Sequence, residues 1–387
     1  MDDRAWGVTR RRFLAGTAAA ALGGGVGLGR AFAQDAGVAP RIVYRRLGRT
    51  GYMVSHVVAA WDWNEFLYAD AVAAGINYWH KIAGWPKLPQ PLQALEREAW
   101  YCDIAIDTFE EEGAYAQFEW SRTSLGLPYI DAMKLHSLYE KPEEVGQKMG
   151  FLKAFDRLKA EGKVRHLAAA QHGGETAAIC AAMIESGHFD HLQPAIGILP
   201  EANMLAMLRL AADRDVGIIA KKVMGAVGRA KTDAGVRGAV EKHLGPDGKW
   251  GAAVIKTVLA FPGVTAVVPR VENFEQLEDN LSTHGIAPAA GERAAVAEIR
   301  RFARAEQCSY CGQCLAACPQ GVAISDCLRF ATYHDVYGDR EQAKQLYARL
   351  PDSRQAGACL GCGACEGECP QGMAVRGKLR RAHATLA

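Results

Sequence analysis

The sequence predicts an α/β protein: a closed (β/α)8 barrel followed by a small, mainly helical, cysteine-rich domain. Three observations carry that expectation. Short apolar runs alternate with amphipathic stretches from about Arg41 to Leu281, the pattern of strand–helix units that build a parallel sheet. Eight such runs fall within some 240 residues, which suits a TIM barrel better than an open doubly wound sheet, the runner-up. After Leu281 the alternation stops and cysteines cluster.

The chain begins with a segment that reads as an address. Thr9-Arg10-Arg11-Arg12-Phe13-Leu14 opens a weakly apolar Ala/Gly run ending in Ala31-Phe32-Ala33. Met1–Ala33 therefore resembles a twin-arginine (Tat) signal peptide with a cleavage site before Gln34. Ala15 to Leu28 is too short for an ordinary membrane span, so a cleaved, periplasmic protein without a stable span is expected, with an uncleaved anchor as the alternative. Glycines in GGGVGLG fall at dinucleotide-fingerprint spacing, but no strand precedes them.

The apolar runs of the barrel, expected over 41–287, are Val54–Ala60, Ile76–Trp79, Trp100–Ile106, Ile130–Leu135, Val164–Ala170, Leu192–Ile198, Gly217–Val223 and Val264–Val268. Helical stretches such as Glu143–Ala160 and Ala202–Ala212 lie between them. With 387 residues, 49% hydrophobic and 23% charged, two folded units are expected. A net charge of +2 and the lack of a basic stripe interleaved with aromatics argue against nucleic acid.

The remaining unit, 288–387, holds eight of the eleven cysteines. CSYCGQCLAACP from Cys308 and CLGCGACEGECP from Cys359 both read C-x2-C-x2-C-x3-C-P. In the bacterial ferredoxin pattern three close thiolates hold one [4Fe–4S] cluster, and the fourth reaches the other cluster. The expected sets are Cys308, Cys311 and Cys314 with Cys369, and Cys359, Cys362 and Cys365 with Cys318. Zinc knuckles want paired cysteines and would leave thiolates spare; disulfides would have to pair across the runs. Ser325–Leu350, between the runs, is amphipathic and resembles the helical ferredoxin type found in multi-subunit redox enzymes. Cys102, Cys180 and Cys327 sit in apolar surroundings and read as small core residues.

RRLGRTGYMVSHV, AGIN at Ala74–Asn77, LGLPYIDAMKLH at Leu125–His136, EGKVRHL, GIIAKKVMG at Gly217–Gly225 and PGVTAVVPRVENFEQLEDNL at Pro262–Leu281 resemble, in order, the aldo/keto reductase family. The resemblance implies an NADPH-binding barrel with a tetrad of Asp, Tyr, Lys and His at its C-terminal mouth. The chain departs from that pattern. His80 takes the place of Asp and Trp85 that of Tyr, while Ala99–Thr108 has no lysine, only Asp103 and Asp107 as charged candidates. His136 is the tetrad member retained. An indole donates a hydrogen bond but cannot give up its proton as a phenol can.

The implied cofactor pocket is eroded as well: Val58, Ala60 and Trp61 replace small residues, Ala170-Gln171 replaces Ser-Asn, and Ile196 replaces the ring that stacks on nicotinamide. Gln193, Lys222 and the Asp279-Asn280 pair remain as cofactor-binding candidates, and NADPH is doubtful. His80 and His136 are the candidate catalytic residues, with Trp61, Trp63 and Trp85 filling the mouth. Lys81 is expected to face solvent, and Asp62 and Asp103 have no identifiable partner.

The expected function is an exported iron–sulfur electron-transfer oxidoreductase, served by a redox partner protein or small-molecule acceptor and by the Tat translocation machinery. Two alternatives stay open. One is an active reductase with an altered site; the other is a non-catalytic relay subunit of a larger redox complex.

Overall fold

The computed structural model describes residues 42–283, 285 and 287–387, so the expected signal segment Met1–Ala33 lies outside the described residues. Eight parallel strands form the sheet: β3 (Ala59–Ala60), β4 (Tyr78–His80), β5 (Tyr101–Ile106), β6 (Ile130–His136), β7 (Val164–Gln171), β8 (His191–Pro194), β9 (Gly217–Lys221) and β10 (Val264–Val268). Neighbours in sequence are neighbours in space, and a parallel bridge from Val57 to Val267 closes the circle. This is the expected (β/α)8 barrel.

The first apolar run does not form one strand. It divides into β2 (Met53–Ser55), which pairs antiparallel with β1 (Tyr44–Arg46), and the short barrel strand β3. Ser55 explains the break, because its hydroxyl turns back to the Val57 carbonyl at 2.7 Å while its N–H is taken by the Asn77 side chain. Glu143–Ala160 is likewise split into a 3-10 turn, Pro142–Gly146, and a helix, Gly150–Ala160. Phe151, Phe155 and Leu158 of that helix are buried as its periodicity predicts.

The linking helix Ala290–Glu306 buries Ala295, Val296, Ile299 and Ala303 in the same hydrophobic cluster as the barrel helices. Barrel packing therefore runs past the expected boundary at 288. A second core starts at Val322 and is built on helices Ile324–Asp335, Arg340–Ala348 and Val375–Leu386. No helix among the described residues is long and apolar enough to cross a membrane.

The helical domain roofs the mouth of the barrel. Arg354 donates to Glu140, in the loop after β6, at 2.5 Å, and Gln371 bonds Glu201, after β8. Asp339 pairs with Arg270, after β10, at 3.0 Å. All these barrel residues lie beyond the C-terminal ends of their strands, the end at which such barrels place chemistry.

Candidate functional site

Two hollows lie in the helical domain. One is lined by Cys308, Cys311, Cys314 and Cys369; the other by Cys318, Cys359, Cys362 and Cys365. Each run thus contributes three cysteines to one hollow and one to the other. Ile324 lines both and forms the wall between them. All eleven cysteines are free, and Cys102, Cys180 and Cys327 are buried, as expected of core residues.

Among the described residues no three His, Cys, Asp or Glu side chains converge tightly enough for a single ion. The sulfurs ring a space instead, which suits a multi-iron cluster better than one zinc with four bonds of about 2.3 Å. Burial pushes the Cys314 thiol up to about 12 and Cys308 higher still. A bound metal is what would hold such thiols ionised.

The first hollow adjoins the barrel. Gly312 takes the left-handed φ of +82°, and a Cβ there would meet the Glu175 backbone nitrogen at 2.7 Å. A Cβ on Gly174 would meet Leu315 at 2.4 Å. The loop after β7 and the first cysteine run therefore touch backbone to backbone.

Beneath this contact the barrel mouth holds a buried polar network that sequence reasoning did not assemble. Asp103, on β5, is its centre and is fully buried. Its Oδ1 accepts from the Lys134 ammonium, on β6, and from the Lys81 N–H at 2.9 Å. Its Oδ2 accepts from Gln193 Nε2 at 2.7 Å and from the Tyr78 hydroxyl at 3.1 Å.

His80, at the end of β4, stands between two lysines: Nδ1 lies 2.8 Å from Lys134 Nζ and 3.3 Å from Asp103 Oδ2, and Nε2 lies 3.0 Å from Lys221 Nζ. Burial would raise the Asp103 carboxyl, but Lys134 and His80 outweigh it and hold the group well below the carboxylate range. Burial, then Lys134 and Lys221, drive His80 well below its ordinary value. Burial brings Lys134 down to about 8 against the pull of Asp103.

Several expectations change here. Asp103 does have partners. Lys134 supplies a lysine that Ala99–Thr108 lacks, one strand further round. Lys81 is half-buried rather than solvent-facing, with its ammonium 5.7 Å over the Trp61 ring. Trp63 and Trp85 are core residues; the Trp85 indole donates to Tyr68 Oη at 2.9 Å, and that of Trp63 to the Pro269 carbonyl.

The other candidates spread around the rim. His136 packs against the His172 ring at 5.5 Å, and burial drives both well below the usual histidine range. Gln193 is fully buried with its amide nitrogen committed to Asp103. Lys222 has its ammonium 3.9 Å over the Tyr333 ring and 5.3 Å from Tyr337, both in the roof. Asn280 is buried with its Nδ2 unpartnered, and Asp279 is paired with Lys249 at 2.7 Å. Tyr333 resists ionisation through burial, yet Lys222 and Arg329 outweigh that and bring the phenol to about 8.

Comparison with known proteins agrees with both halves. Residues 307–374 match the 4Fe-4S dicluster domain family. The barrel is similar to solved aldo-keto reductases. An enzyme of that class from Bacillus halodurans is 16% identical with a TM-score of 0.50, covering 67% of this chain and 96% of that one. A structure assigned as a 2,5-diketo-D-gluconic acid reductase B is 14% identical with a TM-score of 0.50, covering 67% and 91%. A protein assigned as an aldo-keto reductase from Pseudomonas aeruginosa is 18% identical with a TM-score of 0.47, covering 65% and 94%. For the two structures with a TM-score of 0.50 the shared property is the fold. No curated protein matches the chain.

Proposed function

We propose that the chain is an exported, two-cluster iron–sulfur oxidoreductase whose barrel has given up NADPH-dependent carbonyl reduction. Cys308, Cys311, Cys314 and Cys369 would hold one [4Fe–4S] cluster, and Cys359, Cys362, Cys365 and Cys318 the other. When bound, these groups supply one-electron transfer. The observation that carries the reading is the contact of Gly312 with Glu175, which sets the first cysteine hollow directly on the barrel mouth.

The chain's own residues fit this role. Tyr333 and Tyr337 occupy the ammonium of Lys222, a residue otherwise available to a nucleotide. Gln193 is turned to Asp103, away from any carboxamide. A cleft lined by Arg229, Glu306, Asp335, Lys378 and Arg381 opens beside Cys308, where a small acceptor or the edge of a redox partner would approach the first cluster. Export rests on the Arg10-Arg11 pattern, and the Tat route, which carries folded proteins, suits a chain whose clusters are inserted before transport.

The buried Asp103–Lys134 pair beside His80 favours a second reading, a reductase working with altered residues and drawing electrons from the clusters. Anaerobic purification, iron and sulfide counting, and EPR of the reduced protein titrated with NADPH and with quinone or cytochrome acceptors test both. About eight irons per chain are expected, with no reduction of the clusters by NADPH. Oxidation of pre-reduced clusters by a small substrate alone would select the second reading. Zinc in place of iron would sink both.

A further inference from the structure

The proton count of the barrel-mouth network leaves one lysine without a charge. Among the described residues, Asp103 is the carboxylate bonded to Lys134, with its Oδ2 3.3 Å from His80 Nδ1, and three basic groups, Lys134, His80 and Lys221, are linked in a row beside it. Lys134 is fully buried and in direct contact with Asp103, so the ammonium belongs there. An ammonium has donors only, so His80 Nδ1 accepts from it across 2.8 Å and does not donate to the more distant Asp103 Oδ2 at 3.3 Å. The imidazole then carries its one proton on Nε2, which points at Lys221 Nζ 3.0 Å away. Two donors cannot face each other at that distance; Lys221 Nζ has to accept.

We propose that Lys221 is held in the barrel mouth as a neutral amine, a nucleophile that condenses with a small carbonyl compound to form a Schiff base. Lys221 closes β9 at the C-terminal end of the barrel and is 9% exposed. The groups around it agree. Lys134 on β6, Lys222 beside it and Lys81 after β4 disfavour a further cation, and Asp103 on β5 is already paired with Lys134. His136 on β6 and His172 after β7 are neutral. A lysine desolvated among other cations is a recognised route to an amine nucleophile near neutral pH.

The step needs no oxidant or reductant. The Nζ lone pair adds to the carbonyl carbon, a C–N bond forms, and the C–O π pair moves to oxygen. That oxygen leaves as water carrying the two protons shed by the amine, and a C=N bond remains. His80, relaying from the Lys134 ammonium through Nε2–H, is placed to pass a proton to the departing oxygen.

This inference does not depend on the clusters, and its test does not read them. The full-length, cluster-loaded protein is incubated with propionaldehyde or with glyoxylate, each with cyanoborohydride, and reduced adducts are mapped by peptide mass spectrometry. At pH 7 a surface lysine is neutral about once in two thousand, so Lys221 should be labelled at least about a hundredfold faster than the exposed lysines. That preference should shrink toward pH 10. Lys221→Arg should abolish the adduct at this position with iron content unchanged. Labelling by either probe supports the assignment, and a glyoxylate preference would add that Lys81 and Lys222 attract a carboxylate. Failure of both probes at Lys221, or labelling that tracks the surface lysines at every pH, overturns it.

Discussion

Removing the Asp103 carboxylate should cost far more than removing it together with its partner. Asp103 and Lys134 both have fully buried side chains, and in Asp103→Leu an ammonium is left unpaired, which costs about 3–5 kcal/mol. The Gln193 amide, the Tyr78 hydroxyl and the Lys81 N–H lose their acceptor as well, at about 1 kcal/mol each where they find no other. Lys134→Met strands the carboxylate but leaves it those three donors, so about 3 kcal/mol is expected. In the double variant the charge is gone and only the neutral donors suffer, at about 1–3 kcal/mol. The coupling energy should therefore reach at least about 3 kcal/mol, well beyond that of exposed pairs. Urea unfolding under argon, read by tryptophan fluorescence from the buried Trp79 and Trp100, reports the barrel; cluster absorbance is followed separately because a two-domain metalloprotein need not unfold in one step. Lys134 sheds its proton near pH 8, so the Asp103→Leu penalty should shrink at pH 9. Additive single-variant costs, with coupling below about 1 kcal/mol, would refute a buried ion pair as the centre of the site.

Cys369→Ser should lower iron from about eight to about four per chain and remove the EPR signal of the cluster held by the first run, while Cys318→Ser should remove the other; loss of the signal belonging to the serine's own run would show that the sets are not crossed. Acid should loosen the barrel, because burial lowers His191 to about 4 and the fold keeps it neutral. Its contribution is complete above about pH 6.5 and is lost as pH falls toward 4, about 3 kcal/mol in all; His80, His136 and His172 push the same way, and a urea midpoint that is flat from pH 7 to 5 would contradict this. Gly312→Ala combines a left-handed backbone with a clash against Glu175, a strain of about 1–3 kcal/mol, and should speed cluster loss and proteolysis at the junction, whereas Gly367→Ala, where a Cβ meets open space, should not.

Most of the barrel was legible because a strand buried on both faces reads as a mainly apolar run, as in Val264–Val268 and the 167–170 stretch of β7. The cysteine runs were legible from their doubled spacing, and the cysteines line two hollows, three from one run and one from the other in each. The mouth network was not, because its members lie on five strands and the resemblance directs attention to fixed positions, where Asp103 and Lys134 are displaced by one strand. A signal was nonetheless present. Asp103, Lys134 and Lys221 are charges inside apolar runs, and Lys134 shares a face with His136 by the two-residue period of a strand. Charges so placed must find partners within the barrel. The roof over the mouth left no such mark, since contacts like Arg354–Glu140 join residues 214 apart in the chain.

Lys222 shows why roof and nucleotide are alternatives. It adopts the left-handed φ of +61° just after β9 and is one of the cofactor-binding candidates that the sequence offers. In this chain it meets the faces of Tyr333 and Tyr337 instead. A desolvated cation–π contact is worth about 2 kcal/mol, and giving it up would expose Tyr333, which packs with Phe330, and Tyr337, which packs on Tyr333. A nucleotide would therefore have to displace the helix Ile324–Asp335, and that helix begins at Ile324, the wall between the two cysteine hollows. On the proposed reading, binding a nicotinamide and holding the clusters would compete for the same helix. In NADPH titrations the nucleotide should thus act, if at any concentration, by destabilising the iron centres rather than by reducing them, an outcome that cluster absorbance and EPR distinguish directly.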